Sequence, residues 1–323
     1  MARVLCITLN PALDLAFNLD ALVLGSVNRP TSAQLEAAGK GVNVARVLAG
    51  LGHDVTVSGF LGADNDAPFQ LAFTQYSLTD AFVRVPGETR INAKIAEQSG
   101  RVTDINGPGM PIDATHLQAL IDTLNTELSS ATPPQAVVVA GSLPPGLSLV
   151  DFSALLNHLN ASGVPLWVDT SGPALNAAIA THPAGVKPNE NELAEWASED
   201  MTSSDMRLNA AKRLHKSGIA NALISAGAEG VLWVNAQGAW HATPPKVTAT
   251  NTVCAGDTFV AGMLHGLLNQ QDAEQTLRFA TALSAEAVRH VGVGNPHAAD
   301  FDSLQQHTRI RRLDDTITEG ATL

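Results

Sequence analysis

Val4-Leu5-Cys6-Ile7-Thr8-Leu9 sets the architecture. The run is continuously apolar and rich in β-branched residues, the pattern of a strand buried on both faces rather than one. Ala136-Val137-Val138-Val139-Ala140, Pro165-Leu166-Trp167-Val168-Asp169 and Ala222-Leu223-Ile224-Ser225 repeat it. Between these runs the apolar spacing turns helical. Val44, Val47, Leu48 and Leu51 fall at i, i+3, i+4 and i+7, with Gly52 as a stop. Leu117-Ile121-Leu124-Leu128 and Phe152-Leu155-Leu156-Leu159 follow the same theme. Strands alternating with helices predict an α/β fold, a mostly parallel sheet covered on both sides. Ligands of such sheets bind beyond the carboxyl ends of the strands. Two stretches break the alternation. Residues 11–38 lack a helical period, and residues 81–104 alternate around Thr89-Arg90-Ile91-Asn92-Ala93-Lys94-Ile95. Both read as a small, half-exposed sheet inserted beside the main one. Residues 1–312 then form a single domain, and 313–323 a polar C-terminal tail.

The 323 residues carry 31 acidic and 19 basic side chains, a formal net charge of −12, and 45% are apolar. So apolar a chain is not disordered. So acidic a chain is not a general nucleic-acid binder, since no basic surplus neutralises phosphates. A small anionic ligand needs only a few well-placed cations and stays open. The two cysteines, Cys6 and Cys254, form neither a disulfide framework nor a four-ligand zinc site. The first apolar run breaks at Asn10-Pro11 and meets Asp14, too soon for a signal peptide. No run approaches the ~20 residues of a membrane helix. A cytoplasmic location without membrane partners is expected. Positive charge is uneven: Arg29, Lys40, Arg90 and Lys94 lie in or next to the proposed small sheet, and no Lys or Arg stands between Arg101 and Lys187.

Asn251-Thr252-Val253-Cys254-Ala255-Gly256-Asp257-Thr258 runs into the apolar pattern Phe259-Val260-Ala261-Gly262-Met263-Leu264. A loop of small residues opening a helix offers free backbone N–H groups and a partial positive charge, an anion site. Asp257 is placed there to accept a proton from an attacking hydroxyl; the competing reading is an ordinary capping Asp. Ala38-Gly39-Lys40-Gly41-Val42-Asn43 sets two glycines around a lysine before another helix. Lys187-Pro188-Asn189-Glu190-Asn191-Glu192 reads either as a capping box or as an Asn and a carboxylate serving hydrated magnesium and nucleotide phosphates. Ser225-Ala226-Gly227-Ala228-Glu229-Gly230 follows a strand and suits either a hairpin loop or backbone contact with phosphates. Asp14 follows the first strand, where substrate hydroxyls bind. No G-x-G-x-x-G follows a strand and no G-x-x-x-x-G-K-[ST] occurs, which excludes a fingerprinted nicotinamide dehydrogenase and a P-loop NTPase.

In order, these segments resemble the ribokinase-like (PfkB-type) carbohydrate kinases from Thr8 to about Asn295. Thr8-Leu9-Asn10-Pro11-Ala12-Leu13-Asp14, Gly39-Lys40-Gly41-Val42-Asn43-Val44-Ala45, Glu88-Thr89-Arg90-Ile91-Asn92, Gly141-Ser142-Leu143-Pro144-Pro145-Gly146, Lys187-Pro188-Asn189 and Ala255-Gly256-Asp257 carry the likeness. The resemblance implies a three-layer sandwich with a small β-sheet lid, and ATP-dependent phosphorylation of D-fructose 1-phosphate to fructose 1,6-bisphosphate. Tagatose 6-phosphate or fructose 6-phosphate is the alternative acceptor, and a catalytically silent sugar-phosphate-binding regulator the non-enzyme alternative. It implies Asp257 as base, with Ala255 and Gly256 as anion hole. It assigns Asp14, Gly39 and Asn43 to sugar hydroxyls. Arg29, Lys40, Arg90 and Lys94 go to the sugar's phosphate, with Ser142 nearby. It gives Lys187, Asn189, Ser225, Gly227 and Gly230 to ATP, and Glu192 to Mg2+ through water. A monovalent cation such as K+ would sit near Asn251, Val253, Ala287 and Gly292, and a homodimer is expected. Two positions depart from the family pattern. Ala38 replaces the first Gly of Gly-Gly-Lys-Gly, tolerable if its φ is negative. Cys254 replaces the first Gly of Val-Gly-Ala-Gly-Asp and is expected to be buried and not catalytic, although a thiol beside an anion hole invites a lowered pKa and inhibition on modification.

Overall fold

The computed structural model describes residues 1–313. In its first half run β1 (Arg3–Thr8), β2 (Ala12–Leu19), β3 (Ser32–Ala38), α1 (Lys40–Gly50), β4 (Asp54–Gly62), α2 (Ala67–Gln75), β5 (Thr79–Val85), β6 (Ile91–Glu97), β7 (Val102–Asn106) and α3 (Ala114–Leu128). Then follow β8 (Ala136–Ala140), α4 (Leu149–Ala161), β9 (Leu166–Asp169), α5 (Gly172–Ile179), β10 (Gly185–Val186), α6 (Glu190–Ala197) and α7 (Ser204–Lys216). The last part holds β11 (Asn221–Ser225), β12 (Val231–Asn235), β13 (Gly238–Thr243), α8 (Ala255–Leu268), α9 (Ala273–Ala287), α10 (Phe301–His307) and β14 (Arg309–Leu313).

Ten strands form one sheet in the order β14-β13-β12-β11-β10-β9-β8-β1-β4-β5. It is parallel from β5 to β11 and antiparallel from β11 to β14. The strand period of two divides β1 between two cores. Val4 and Cys6 pack with Val44, Leu48, Phe259 and Leu283 on one face, while Leu5 and Ile7 pack with Leu120, Leu124, Phe152 and Leu156 on the other. Both faces are thus covered, and the predicted buried strands coincide with β1, β8, β9 and β11. No helix among the described residues is long and apolar enough to cross a membrane.

A second sheet of four strands, β3-β2-β6-β7, stands beside the first. β2 pairs antiparallel with β3 and parallel with β6. This corrects the extent expected for the small sheet. Its second part is not residues 81–104: β5 pairs with β4 at the edge of the large sheet, and only β6 and β7 belong to the small one, reaching Asn106. The cause is aromatic packing, since Phe82 of β5 is buried and stacks on Phe73 of α2 at 5.6 Å. At the other end β14 pairs with β13 through Leu313, so the strand continues past the boundary expected at 312. The rest of the expected tail, residues 314–323, lies outside the described residues.

Two glycines place α1. Gly39, at φ 133°, links β3 to α1, and a Cβ there would meet Thr8 Cγ2 at 2.8 Å. A Cβ on Gly41 would lie 2.4 Å from Thr8 Oγ1. The close approach that these glycines permit is therefore to the carboxyl end of β1, and it brings the first turn of α1 there. Ala38 has no positive φ, so the methyl in place of the usual glycine is tolerated.

Candidate active site

α8 begins at Ala255, with Cys254 as N-cap residue and no side-chain cap. Asp257 therefore sits inside the first turn and caps nothing, which removes the capping reading. Its side chain is turned inward, 2% exposed, and Oδ2 accepts a hydrogen bond from Asn43 Nδ2 at 2.8 Å. The Ala255 N–H turns back to the Thr252 carbonyl at 3.3 Å. Among the described residues the Gly256 N–H has no such acceptor, so it is the freer of the two amides expected in the anion hole.

The charge around Asp257 is organised by a residue that the sequence reading quoted but did not assign. Asp169 ends β9, buried. Its Oδ2 lies 3.3 Å from Lys40 Nζ and its Oδ1 3.5 Å from Lys187 Nζ. Burial pushes the Asp169 carboxyl up, but Lys187 and Lys40 outweigh it and hold it below the ordinary carboxylate range. Asp169 in turn, against the cost of burial, raises the Lys40 ammonium above its usual value, with Asp257 and Glu192 adding to it. Lys187 reaches over the start of α8, where a Cβ on Gly256 would stand 3.2 Å from Nζ. Asp257 itself is pushed up to about 6, chiefly by burial and further by Asp169, against the pull of Lys40, the Asn43 hydrogen bond and Lys187. A buried carboxylate with that affinity for protons is suited to accept one near neutrality.

Lys40 and Lys187 stand on opposite sides of the basic-free run in the sequence, yet one carboxylate joins them beside Asp257. Arg90 and Lys94 belong to a different group, centred on Asp14. Asp14 Oδ2 pairs with Lys94 Nζ at 2.6 Å and Oδ1 accepts from Asn92 Nδ2 at 3.0 Å, across the β2–β6 pairing. Burial opposes the charge on Lys94, yet Asp14 outweighs it and raises the ammonium. The Arg90 guanidinium, lowered by burial, donates to the carbonyls of Pro11, Gly107 and Asn10 and reaches Ser142 Oγ at 3.3 Å. Asn10 Nδ2 also reaches Ser142 Oγ, at 3.2 Å. Arg90, Ser142 and Asn10 therefore form one hydrogen-bonded junction.

Other expected residues fall less centrally. Arg29 is exposed on the connection between β2 and β3 and makes no hydrogen bond or ion pair with another described residue. Asn189 and Glu192 form a complete capping box: Asn189 Oδ1 accepts from the Glu192 N–H at 2.9 Å, and Glu192 Oε2 accepts from the Asn189 N–H at 2.8 Å. Ser225 donates its N–H to the Pro188 carbonyl at 3.1 Å, which brings the 225–230 loop beside that box. Gly227 has φ 51°, and Gly230, at φ 103°, leaves only 1.9 Å between a Cβ and the Ala242 carbonyl oxygen. Both glycines thus have conformational reasons to be there. The N–H groups of Thr250 and Asn251 donate to the Val288 carbonyl, which sets the segment before α8 against the end of α9. Cys254 is only partly buried, at φ −92°, with Sγ 3.7 Å from Asn43 Nδ2. Burial, with Asp257 adding to it, pushes its thiol up to about 12, which overturns the lowered value expected beside an anion hole.

The N-terminus of a helix, a buried carboxylate and two lysines gather here, an arrangement suited to a small-molecule phosphotransferase acting on an alcohol group. The profile of the pfkB family carbohydrate kinases matches residues 7–299, and the chain belongs to that family. It is 43% identical over 311 residues to a 1-phosphofructokinase of Vibrio cholerae, covering 96% of this chain and 97% of the relative. The crystal structure of the phosphofructokinase-2 from Escherichia coli in complex with substrates and products superposes with a TM-score of 0.87 at 28% identity, covering 94% of this chain and 98% of that one. A ribokinase from Thermotoga maritima, at 20% identity and a TM-score of 0.76 over 95% of this chain and 100% of that one, shares the fold.

Proposed function

We propose that this chain transfers the γ-phosphoryl group of ATP to D-fructose 1-phosphate, giving fructose 1,6-bisphosphate. The observation that carries the reaction is Asp257, buried in the first turn of α8 with Asn43 fixing one of its oxygens. The choice of acceptor is supported by the name of the Vibrio cholerae relative, 1-phosphofructokinase, at 43% identity over nearly the full length. In this reading Asp257 takes the proton of the sugar's C6 hydroxyl as that oxygen bonds to phosphorus and the bond to the ADP oxygen breaks. The Gly256 and Ala255 amides, with Lys40 and Lys187, face the charge on the phosphoryl group in transit. Asp14, Gly39 and Asn43 hold the sugar hydroxyls. Arg90, Lys94 and Ser142 hold the existing phosphate, and the small sheet closes over it as a lid that excludes water.

ATP would lie along Lys187, Asn189, Ser225, Gly227 and Gly230. Magnesium, when bound, would neutralise phosphate charge; Glu192, whose Oε2 accepts from the Asn189 N–H, would serve the ion through water. A monovalent cation beside the segment 250–253 completes the reading.

Coupled detection of ADP release tests it, using fructose 1-phosphate, fructose 6-phosphate, tagatose 6-phosphate and unphosphorylated sugars. The highest kcat/KM is expected with fructose 1-phosphate. A preference for either 6-phosphate would move the assignment within the family, and silence with every sugar would leave the regulator. Arg90→Ala is expected to raise the sugar-phosphate KM roughly tenfold with little change in kcat, because it removes binding to a non-reacting group. The same change should lower the melting temperature, since the carbonyls of Asn10, Pro11 and Gly107 lose their donor. An unchanged KM would remove Arg90 from the phosphate clamp.

A further inference from the structure

Arg207 stands where helix periodicity calls for an apolar side chain. Arg207, Ala210, Ala211 and Leu214 are the buried residues of α7, the i, i+3, i+4, i+7 stripe that packs inward. Arg207 is 6% exposed. A buried guanidinium is costly unless its charge is paired, and an apolar residue of similar volume is often no less stable there. Its partners are two carboxylates: Glu190 Oε2, 3.4 Å from Nη1, and Glu229 Oε2, on Nη2. Their side chains are 43% and 67% exposed. Both acids are well solvated without the arginine, so the ion pairs do not exist to rescue buried carboxylates. What they fix is position.

The two acids belong to the two segments assigned to ATP. Glu190 opens α6 directly after Asn189, and Glu229 closes the 3-10 turn Gly227–Glu229. The segments already meet at one end, through the Ser225 N–H on the Pro188 carbonyl and the bridge between Asn189 and Ser225. Arg207 joins them at the other, and His241 Nε2, 2.9 Å from the Glu229 carbonyl oxygen, holds the same turn from β13. We propose that Arg207 is a positioning residue for the nucleotide subsite: it holds Glu190 and Glu229 together and so sets the gap between the 188–192 and 226–230 backbones into which the ATP phosphates fit. The proposal rests on the reading of these two segments as the ATP side.

Arg207→Met keeps the buried stripe and much of the volume. It should leave the melting temperature nearly unchanged, raise the KM for ATP roughly tenfold, and leave kcat and the sugar-phosphate KM within about twofold. The dissociation constant for ADP, measured by calorimetry, should weaken in parallel, and Arg207→Lys should restore part of the loss. The double variant Glu190→Gln, Glu229→Gln, with Arg207 intact, should reproduce the ATP effect, and it serves if Arg207→Met does not fold. An unchanged ATP KM, or equal losses in both KM values together with a fall in stability, overturns the proposal. Hydrogen exchange of the wild-type protein with and without ADP separates the two levels. Protection at 188–192 and 226–230 is expected; its absence there would sink the ATP reading itself. Protection with an unaffected Arg207→Met variant would sink only the role of Arg207.

Discussion

Asp257→Ala is expected to lower kcat by roughly 10²- to 10⁴-fold, the usual contribution of a general base, while ADP still binds. Isothermal titration with ADP alongside steady-state turnover separates the two quantities; near-normal turnover would remove Asp257 as the base. The wild-type pH profile should show the same group. With its proton affinity raised to about 6, Asp257 is protonated and idle below that pH, so kcat/KM should fall on the acid side of about 6 and be flat above it. Stability moves in the opposite sense. The folded state holds the proton up to about 6, whereas the unfolded chain releases it near the ordinary 3.8. Between those values the folded state binds more protons, so the contribution of this group to stability falls as pH rises through the window. Asp257→Asn, which carries no charge to bury and keeps an acceptor for Asn43, should therefore gain melting temperature over the wild type at pH 8 and lose most of that gain at pH 4. On the proposed reading, the site holds its base at a cost to the fold.

Asp169→Ala is expected to have the largest effect on stability. Lys187 is buried and Asp169 is its ion-pair partner among the described residues. Removing one member of a buried pair typically costs about 3–5 kcal/mol, because the other charge is left uncompensated. Differential scanning calorimetry should show a fall of several degrees, and activity should fall as the lysines lose the carboxylate that brings them together. In Asp169→Leu, Lys187→Met much of the stability should return, since neither charge then remains buried, but activity should not. A single variant as stable as the wild type would mean that Lys187 finds water or another partner.

The strands at the centre were legible because burial on both faces writes itself into the sequence without interruption, as in Val137-Val138-Val139. The edge was not. β5 is buried only at Phe82 and Val85, and so partly exposed a strand cannot be told from a strand of the small sheet until Phe82 meets Phe73. In the candidate site, Asp257, Asn43, Lys40 and Lys187 were legible from motifs and the structure brings them together. Arg29 has the right chemistry, but on its exposed loop it pairs with no other described residue. Asp169 was visible as the single acid at the end of an apolar strand. Its partners, however, lie 129 positions before it and in another segment after it, a pairing that no local pattern encodes. The capping box at Asn189 was legible as a helix start, and it formed as one.

β3 ends at Ala38 and α1 begins at Lys40, so Gly39 is the whole connection between the small sheet and the helix that bears Lys40 and Asn43. Two dihedral angles thus carry all the slack between the two parts. One extra residue before α1 would turn its side chains by about 100° and shift them by about 1.5 Å along the axis. Asn43 would then leave Asp257 and Lys40 would leave Asp169, though every residue of the motif were still present. Where most surface connections absorb changes in length over evolution, this one fixes the register of the chemistry, and its length is as much a part of the site as any side chain in it.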